Sequence, residues 1–360
     1  MTSTTIDDTE FHALRELSAV LGAAPLRTQG AGGNTSIKRG GVMWIKASGT
    51  WLADALAHDI MTPVRLDPLR KAIVDRDPRA AAAVDFVDAQ LNASGLRPSI
   101  ETSVHAIIPS AVVVHIHCVN TIALAVRRDG ESPVRERLRP QADVALAFVP
   151  YRKPGLPLAQ AIVEGLTKDT NVFVLANHGL VVAGETVAEA ADRIARVCEA
   201  FSGSARIAPQ ADIETLASIV EGSDYRLPQD PATHAVALDP KSLAIARRGS
   251  LYPDHVVFLG PGLTEASVDG GRLRAPPEGR RPPLMMALPG RGVVVHRSTS
   301  KNAEAMARCL ADVAARIPED APIRVLTSAE AQEHELGSGI LSSVDRKIRT
   351  RLDGRARDRD

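Results

Sequence analysis

Aromatic residues make up only 3% of this 360-residue chain, which argues against a surface built to stack nucleobases. Charge of one sign is also missing. Lys plus Arg and Asp plus Glu stand at 43 each, so no global field calls for nucleic acid or an anionic membrane. No apolar run approaches the roughly 18 residues a membrane span needs. The first twelve residues are polar and acidic, without the basic start and apolar centre of a secretory leader. The three cysteines (Cys118, Cys198 and Cys309) are scattered and odd in number, and imply no disulfide framework. There is no internal repeat, no G-x-x-x-x-G-K-[ST] phosphate loop, and no G-x-G-x-x-G after a downstream strand. The expectation is a soluble, cytoplasmic protein with no nucleic-acid or membrane partner.

What is present is 44% apolar residues in a chain long enough for two domains. Helical spacing runs through residues 8–22, with Phe11, Leu14, Leu17 and Leu21 on one side. Gly30-Ala31-Gly32-Gly33-Asn34-Thr35-Ser36-Ile37-Lys38 follows, then Val42–Ile45 and Lys46-Ala47-Ser48-Gly49-Thr50. This stretch reads as a hairpin turning at Arg39-Gly40-Gly41, and its ends also suit an anion cradle. Glycines let backbone approach an anion closely, and Asn, Ser, Thr and Lys add donors.

An alanine-rich helix is expected at about 79–93. Ser99 stands where an N-cap would, before a helix over 102–108. Strands are expected at 111–117, 144–149 and 171–176, and helices at 118–127, 157–167 and 186–202. Composition changes near residue 204. The division is therefore a first domain over 1–205, a linker over 206–235, a C-terminal module over 236–345 with a strand at 292–296 and a helix at 302–316, and a charged tail over 346–360.

The chemistry concentrates at Ser99-Ile100-Glu101-Thr102-Ser103-Val104-His105 and Val112-Val113-Val114-His115-Ile116-His117-Cys118. Residues i and i+2 of a strand share a face, so His115 and His117 can address one ion. His178, in Ala176-Asn177-His178-Gly179-Leu180, supplies a third imidazole. Three neutral imidazoles leave a zinc ion an open coordination position, as a catalytic site requires. Glu101 can then move a proton on carbon next to a carbonyl polarised by the metal. Any one of these histidines alone reads as a packed core residue; the set with an upstream Glu does not. His105, one turn after Glu101, is either its partner or a packing residue.

These residues resemble the class II aldolase/adducin family, which includes fuculose-phosphate and rhamnulose-phosphate aldolases and ribulose-phosphate 4-epimerase. The resemblance runs through Gly33-Asn34-Thr35-Ser36, Ser48-Gly49, Ser99-Ile100-Glu101, His115-Ile116-His117, Pro150-Tyr151, Pro154-Gly155 and Ala176-Asn177-His178-Gly179-Leu180, over about residues 8–205. Ser-Ile-Glu-Thr followed by His looks most like the aldolase portion of bifunctional rhamnose-utilisation aldolase/dehydrogenases, with the dehydrogenase part absent.

The resemblance implies an α/β fold in three α/β/α layers, a central, mainly antiparallel sheet with helices on both sides, extended here by a smaller C-terminal α/β module. It implies zinc or another divalent metal on His115, His117 and His178, with Glu101 as the acid/base. Gly33, Asn34, Lys38, Lys46, Ser48, Gly49 and Ser99 would hold a phosphate or equivalent anion, with His105 and Tyr151 behind them. A small sugar or sugar phosphate is the implied partner and a homotetramer the implied assembly. The implied reaction is aldol cleavage through an enediolate. Decarboxylase, 4-epimerase and dehydratase chemistry, or an adducin-like binding module, are the alternatives. Two departures stand out. The family's G-N-x-S-x-R ends in Lys38, replacing a guanidinium fork by a point charge, and residues 118–149 contain no tyrosine to serve as proton donor.

Overall fold

The computed structural model describes residues 8–274 and 282–334. Its centre is a seven-stranded sheet of β1 (Asn34–Arg39), β2 (Val42–Lys46), β3 (Met61–Arg65), β4 (Val112–Ile116), β5 (Leu146–Val149), β6 (Val172–Leu175) and β7 (Gly179–Gly184). The strand order is β3-β2-β1-β4-β7-β6-β5. Every pairing is antiparallel except β5 with β6.

Alternation along β4 decides what each face receives. Val112, Val114 and Ile116 pack with Leu14 and Leu21 of α1 (Asp8–Ala23) and with Val187, Ile194 and Val197. Val113 points to the opposite face, with Val104, Ile108, Leu158 and Ile162. His115 has the parity of Val113, so it lies on the side of the helix that carries Glu101. The helices of this unit after α1 are α2 (Leu66–Val74), α3 (Thr102–Ile107), α4 (Val119–Ala125), α5 (Glu131–Leu138), α6 (Leu156–Gly165) and α7 (Val187–Ala200).

The alanine-rich stretch does not form the expected helix. It folds as two 3-10 turns, Pro78–Ala81 and Val84–Phe86. Ala83 between them takes φ 52°, and Val87 bridges Val64 at the sheet edge. Edge pairing has overridden alanine's helical preference.

The expected linker is also structured. Residues 206–235 contain α8 (Ile213–Val220), β8 (Tyr225–Arg226) and a 3-10 turn, Pro231–His234. Asp212 caps α8 by accepting from the Thr215 N–H. Beyond lie α9 (Ala235–Leu238), α10 (Pro240–Ala246), α11 (Pro253–Leu259), β9 (Thr264–Glu265), a small hairpin of β10 (Val268–Asp269) and β11 (Arg272–Leu273), β12 (Met285–Leu288), β13 (Gly292–His296) and α12 (Lys301–Ala314). A second sheet runs β8-β13-β12-β9, so the segment read as a linker supplies one of its strands. The expected tail over 346–360 lies outside the described residues.

The two units share a core. Val119, Ile122, Ala123 and Val126, in and just after α4, pack in one cluster with Met306, Leu310 and Val313 of α12. No helix among the described residues is long and apolar enough to cross a membrane.

Candidate metal centre

Four donors from separate parts of the chain converge where β4 ends. Glu101 sits at the start of α3, His115 on β4, His117 just past it, and His178 in the turn between β6 and β7. One ligand atom from each lies within 4.8 Å of all the others, and all four residues are buried. The ring centroids of His115 and His117 are 4.9 Å apart, those of His115 and His178 4.9 Å, and those of His117 and His178 5.1 Å.

Local geometry explains the convergence. Asn177 takes φ 53°, a left-handed conformation that Asn tolerates better than most residues, and the sharp turn presents His178 inward. Two glycines make room for the rings. A Cβ on Gly32 would lie 2.7 Å from His117 Nδ1, and one on Gly179 would lie 2.5 Å from the Ile116 carbonyl and 3.3 Å from ring atoms of His115 and His117. Any other residue at either position would displace an imidazole or the strand beneath it.

Two of the three rings, those of His115 and His117, are oriented from behind. His115 Nδ1 is 3.0 Å from the Leu180 carbonyl, which assigns its proton there and leaves Nε2 a bare lone pair. His117 Nδ1 is 2.9 Å from Asp254 Oδ2, and its Nε2 lies 3.1 Å from His115 Nε2. Glu101 Oε2 accepts from Asn34 Nδ2 at 2.8 Å and stands 3.3 Å from His115 Nε2. Glu101 Oε1 is 3.4 Å from His178 Nε2. Glu101 Oε1 and His178 Nδ1 are buried with no hydrogen-bond partner among the described residues.

The electrostatics follow from burial. Burial pushes Glu101 up to about 7, with the His117 charge pulling against it. Burial pushes His115 down to about 3, helped by His117. Burial also holds His178 well below the usual imidazole range. His117 goes the other way: burial lowers it, and the Asp254 carboxylate together with that of Glu101 more than offsets that.

Three imidazole nitrogens and a carboxylate oxygen, with unsatisfied buried atoms among them, fit a borderline divalent ion such as zinc. Neutral rings are the form that ligates.

The expected anion-site residues divide. Ala47 bridges Pro98, and the Ser48 N–H donates to the Arg97 carbonyl at 2.9 Å, so the Ser48-Gly49 turn lies against the stretch leading to Ser99. Gly33 and Gly49 take φ 66° and 76°. Lys46 ties this region together, its ammonium 3.0 Å from the Ala31 carbonyl and 2.7 Å from that of Thr50.

Lys38 does not join them. It lies at the far end of β1 from Asn34, its ammonium buried on the carbonyls of Ile108 and Ser110 at 2.5 and 2.8 Å. Ser99 is not the helix cap either: Glu101 holds that position, and Ser99 Oγ accepts from the Glu101 N–H at 3.2 Å. His105 bonds Ser36 Oγ at 2.8 Å rather than the Glu101 carboxylate. The Tyr151 hydroxyl pairs with His334 at 2.8 Å, and Arg324 stacks on its ring.

Sequence reasoning passed over Asp254 and Asn177. Tyr252-Pro253-Asp254 carries the signature of a helix start, proline at the first position and an acid in the first turn, and nothing in it points to a distant histidine.

The family model for the class II aldolase and adducin N-terminal domain matches residues 16–203. The protein called "Uncharacterized oxidoreductase YuxG" of Bacillus subtilis (strain 168) is 34% identical over 167 residues, covering 43% of this chain and 24% of that protein. The chain thus spans about a quarter of that relative's length. A class II aldolase domain of a conserved protein from Thermoplasma acidophilum is 27% identical with a TM-score of 0.47, over 55% of this chain and 94% of that one. L-fuculose-1-phosphate aldolase from Thermus thermophilus is 19% identical with a TM-score of 0.38, over 53% and 90%. With the matched residues spanning all seven strands of the sheet and all four converging donors, the chain belongs to the class II aldolase and adducin family.

Proposed function

We propose that the chain is a metal-dependent carbon–carbon lyase that cleaves a small ketose or ketose phosphate through an enediolate. The observation that carries the reading is the position of Glu101: a buried carboxylate lifted to about 7, within ligand distance of three imidazoles. His115, His117 and His178 would hold zinc or another divalent ion, which supplies Lewis acidity to a substrate carbonyl when bound.

Glu101 does the proton work. Asn34 holds one carboxylate oxygen, and the other has no hydrogen bond among the described residues, so a proton can be taken from, or returned to, carbon beside the carbonyl. A pKa near neutrality suits both directions. Burial of the cluster keeps water from protonating the carbanion indiscriminately. Gly33, Ser48, Gly49 and Ser99 line the loops proposed to receive the substrate's anionic group, with Lys46 bracing them. Homo-oligomeric assembly, a tetramer by family resemblance, and a cytoplasmic setting belong to the same proposal.

A second reading keeps the site and changes the reaction. Residues 118–149 hold no tyrosine to protonate a leaving oxygen, which favours the decarboxylase, epimerase or dehydratase variants on a small sugar-acid phosphate.

The test is elemental analysis of wild type and His117→Ala, followed by a screen of ketose phosphates for aldehyde release. About one metal per chain, lost in the variant, with aldehyde released on turnover, supports the lyase. Metal with turnover but no aldehyde selects the second reading. Absence of stoichiometric metal sinks both, and leaves a binding module on this fold.

A further inference from the structure

Within the first unit, His117 meets His115 at its Nε2, 3.1 Å from His115 Nε2. It lies past the end of β4, outside the sheet's hydrogen bonding, and the group behind its ring comes from the other unit. Asp254, in the first turn of α11, puts Oδ2 2.9 Å from His117 Nδ1. That oxygen is buried, and beyond this close ion-pair contact it makes no hydrogen bond among the described residues.

The same unit grips two further parts of the site. Asn177 Nδ2, beside His178, donates to the carbonyls of Leu251 and Arg324, each at 2.8 Å. Asn302, in the first turn of α12, accepts from Trp51 Nε1 at 2.7 Å, and its side chain fills the space a Cβ on Gly30 would take.

We infer that Asp254 is a positioning residue for the metal centre, so that the C-terminal unit completes the site within one chain by fixing the proton of His117 on Nδ1 and turning Nε2 toward the ion. The inference rests on the metal-site reading above. A carboxylate behind a ligating imidazole fixes its tautomer and ring orientation and raises its basicity. Leu180 does this for His115 with a neutral carbonyl, and Asp254 does it for His117 with a charge. His178 has no such partner on its ring among the described residues; its backbone is fixed instead, through Asn177.

The experiment is zinc competition against a chelator of known affinity, on the full chain freed of metal, for wild type, Asp254→Ala, Asp254→Asn and His117→Ala. Asp254→Ala is expected to bind zinc about 10–100-fold more weakly. Asp254→Asn should lose less, because its amide oxygen can still accept from Nδ1. The visible spectrum of the cobalt-loaded protein should change in Asp254→Ala, since a ligand has turned; a purely structural role would shift apo-protein unfolding and leave that spectrum alone. Should Asp254→Ala fail to fold, Asp254→Asn decides by affinity and spectrum. Wild-type affinity with an unaltered cobalt spectrum in the variants overturns the inference while leaving the metal site standing. Absence of zinc uptake by wild type overturns the metal reading itself, and the inference with it.

Discussion

Asn34 and Glu101 are 67 residues apart in sequence, yet the Asn34 amide donates to Glu101 Oε2 over 2.8 Å in a space closed to solvent. The sheet register explains the meeting. Asn34 lies opposite His115 on the neighbouring strand, so one amide serves the carboxylate that faces that imidazole. A donor to the ionised carboxylate lowers its pKa, and removing it raises the pKa. Asn34→Ala is therefore expected to move the limb of kcat/KM governed by Glu101 upward by about one pH unit, given that a hydrogen bond to a charged group is worth about 1.5–3 kcal/mol. A pH–rate profile checks this. An unmoved limb would separate Asn34 from the proton transfer.

Metal-free stability should carry the Glu101 signature. Its folded pKa, about 7, lies above the ordinary 4.5, so the folded chain keeps a proton that the unfolded chain releases in between. That contribution is full below pH 4.5 and is lost as pH rises through 7. Glu101→Gln abolishes it. Denaturant unfolding should find the variant gaining on wild type as pH rises from 4.5 to 7, by on the order of 2–3 kcal/mol at the upper end. His115 and His178 titrate in the opposite sense, and their contribution cancels to first order in the difference.

Gly32→Ala tests the room left for His117. The glycine's backbone is not in the left-handed region, so an alanine there adds no backbone strain of its own. Its Cβ would still stand 2.7 Å from the ring nitrogen. Zinc affinity and turnover are expected to fall by about tenfold or more, in line with loss of ligand orientation, with the circular dichroism spectrum unchanged. Affinity equal to wild type would mean that the ring relaxes freely.

Lys38→Met separates the two roles open to that lysine. Burial lowers Lys38 to about 7, and both contacts of its ammonium are backbone carbonyls. Truncation should cost stability, about 1–3 kcal/mol for the carbonyls left unsatisfied, and leave KM for an anionic substrate unchanged. A rise in KM at constant stability would return Lys38 to the anion site.

Much of the site was legible because strand alternation and short-range spacing encode it. His115 and His117 share parity, Glu101 opens the predicted helix, and His178 follows an apolar strand. Gly32 and Gly179, which make room for the rings, stood in stretches read as an anion cradle and as the setting of His178, with no sign of the clearance they provide. Lys38 lies at the end of β1 away from Asn34 with its ammonium on the Ile108 and Ser110 carbonyls, a placement that motif position does not encode. The structured segment 206–235 was read as a linker from its change of composition, although its polar stretch includes Pro231, which opens a 3-10 turn. The helix expected at 79–93 failed because Val87 found a strand to pair with. Asp254 was beyond local reading, since its partner is set by how α11 docks.

The origin of Asp254 in the second unit also sets an order of events at the ribosome. His178, the last of the four donors, emerges roughly 76 residues before Asp254, an interval of about 4–15 s at typical elongation rates of 5–20 residues per second. A nascent chain in that window holds every donor but lacks the brace on His117. On the role inferred for Asp254, ion capture would be weaker in that window and would strengthen once the second unit has docked.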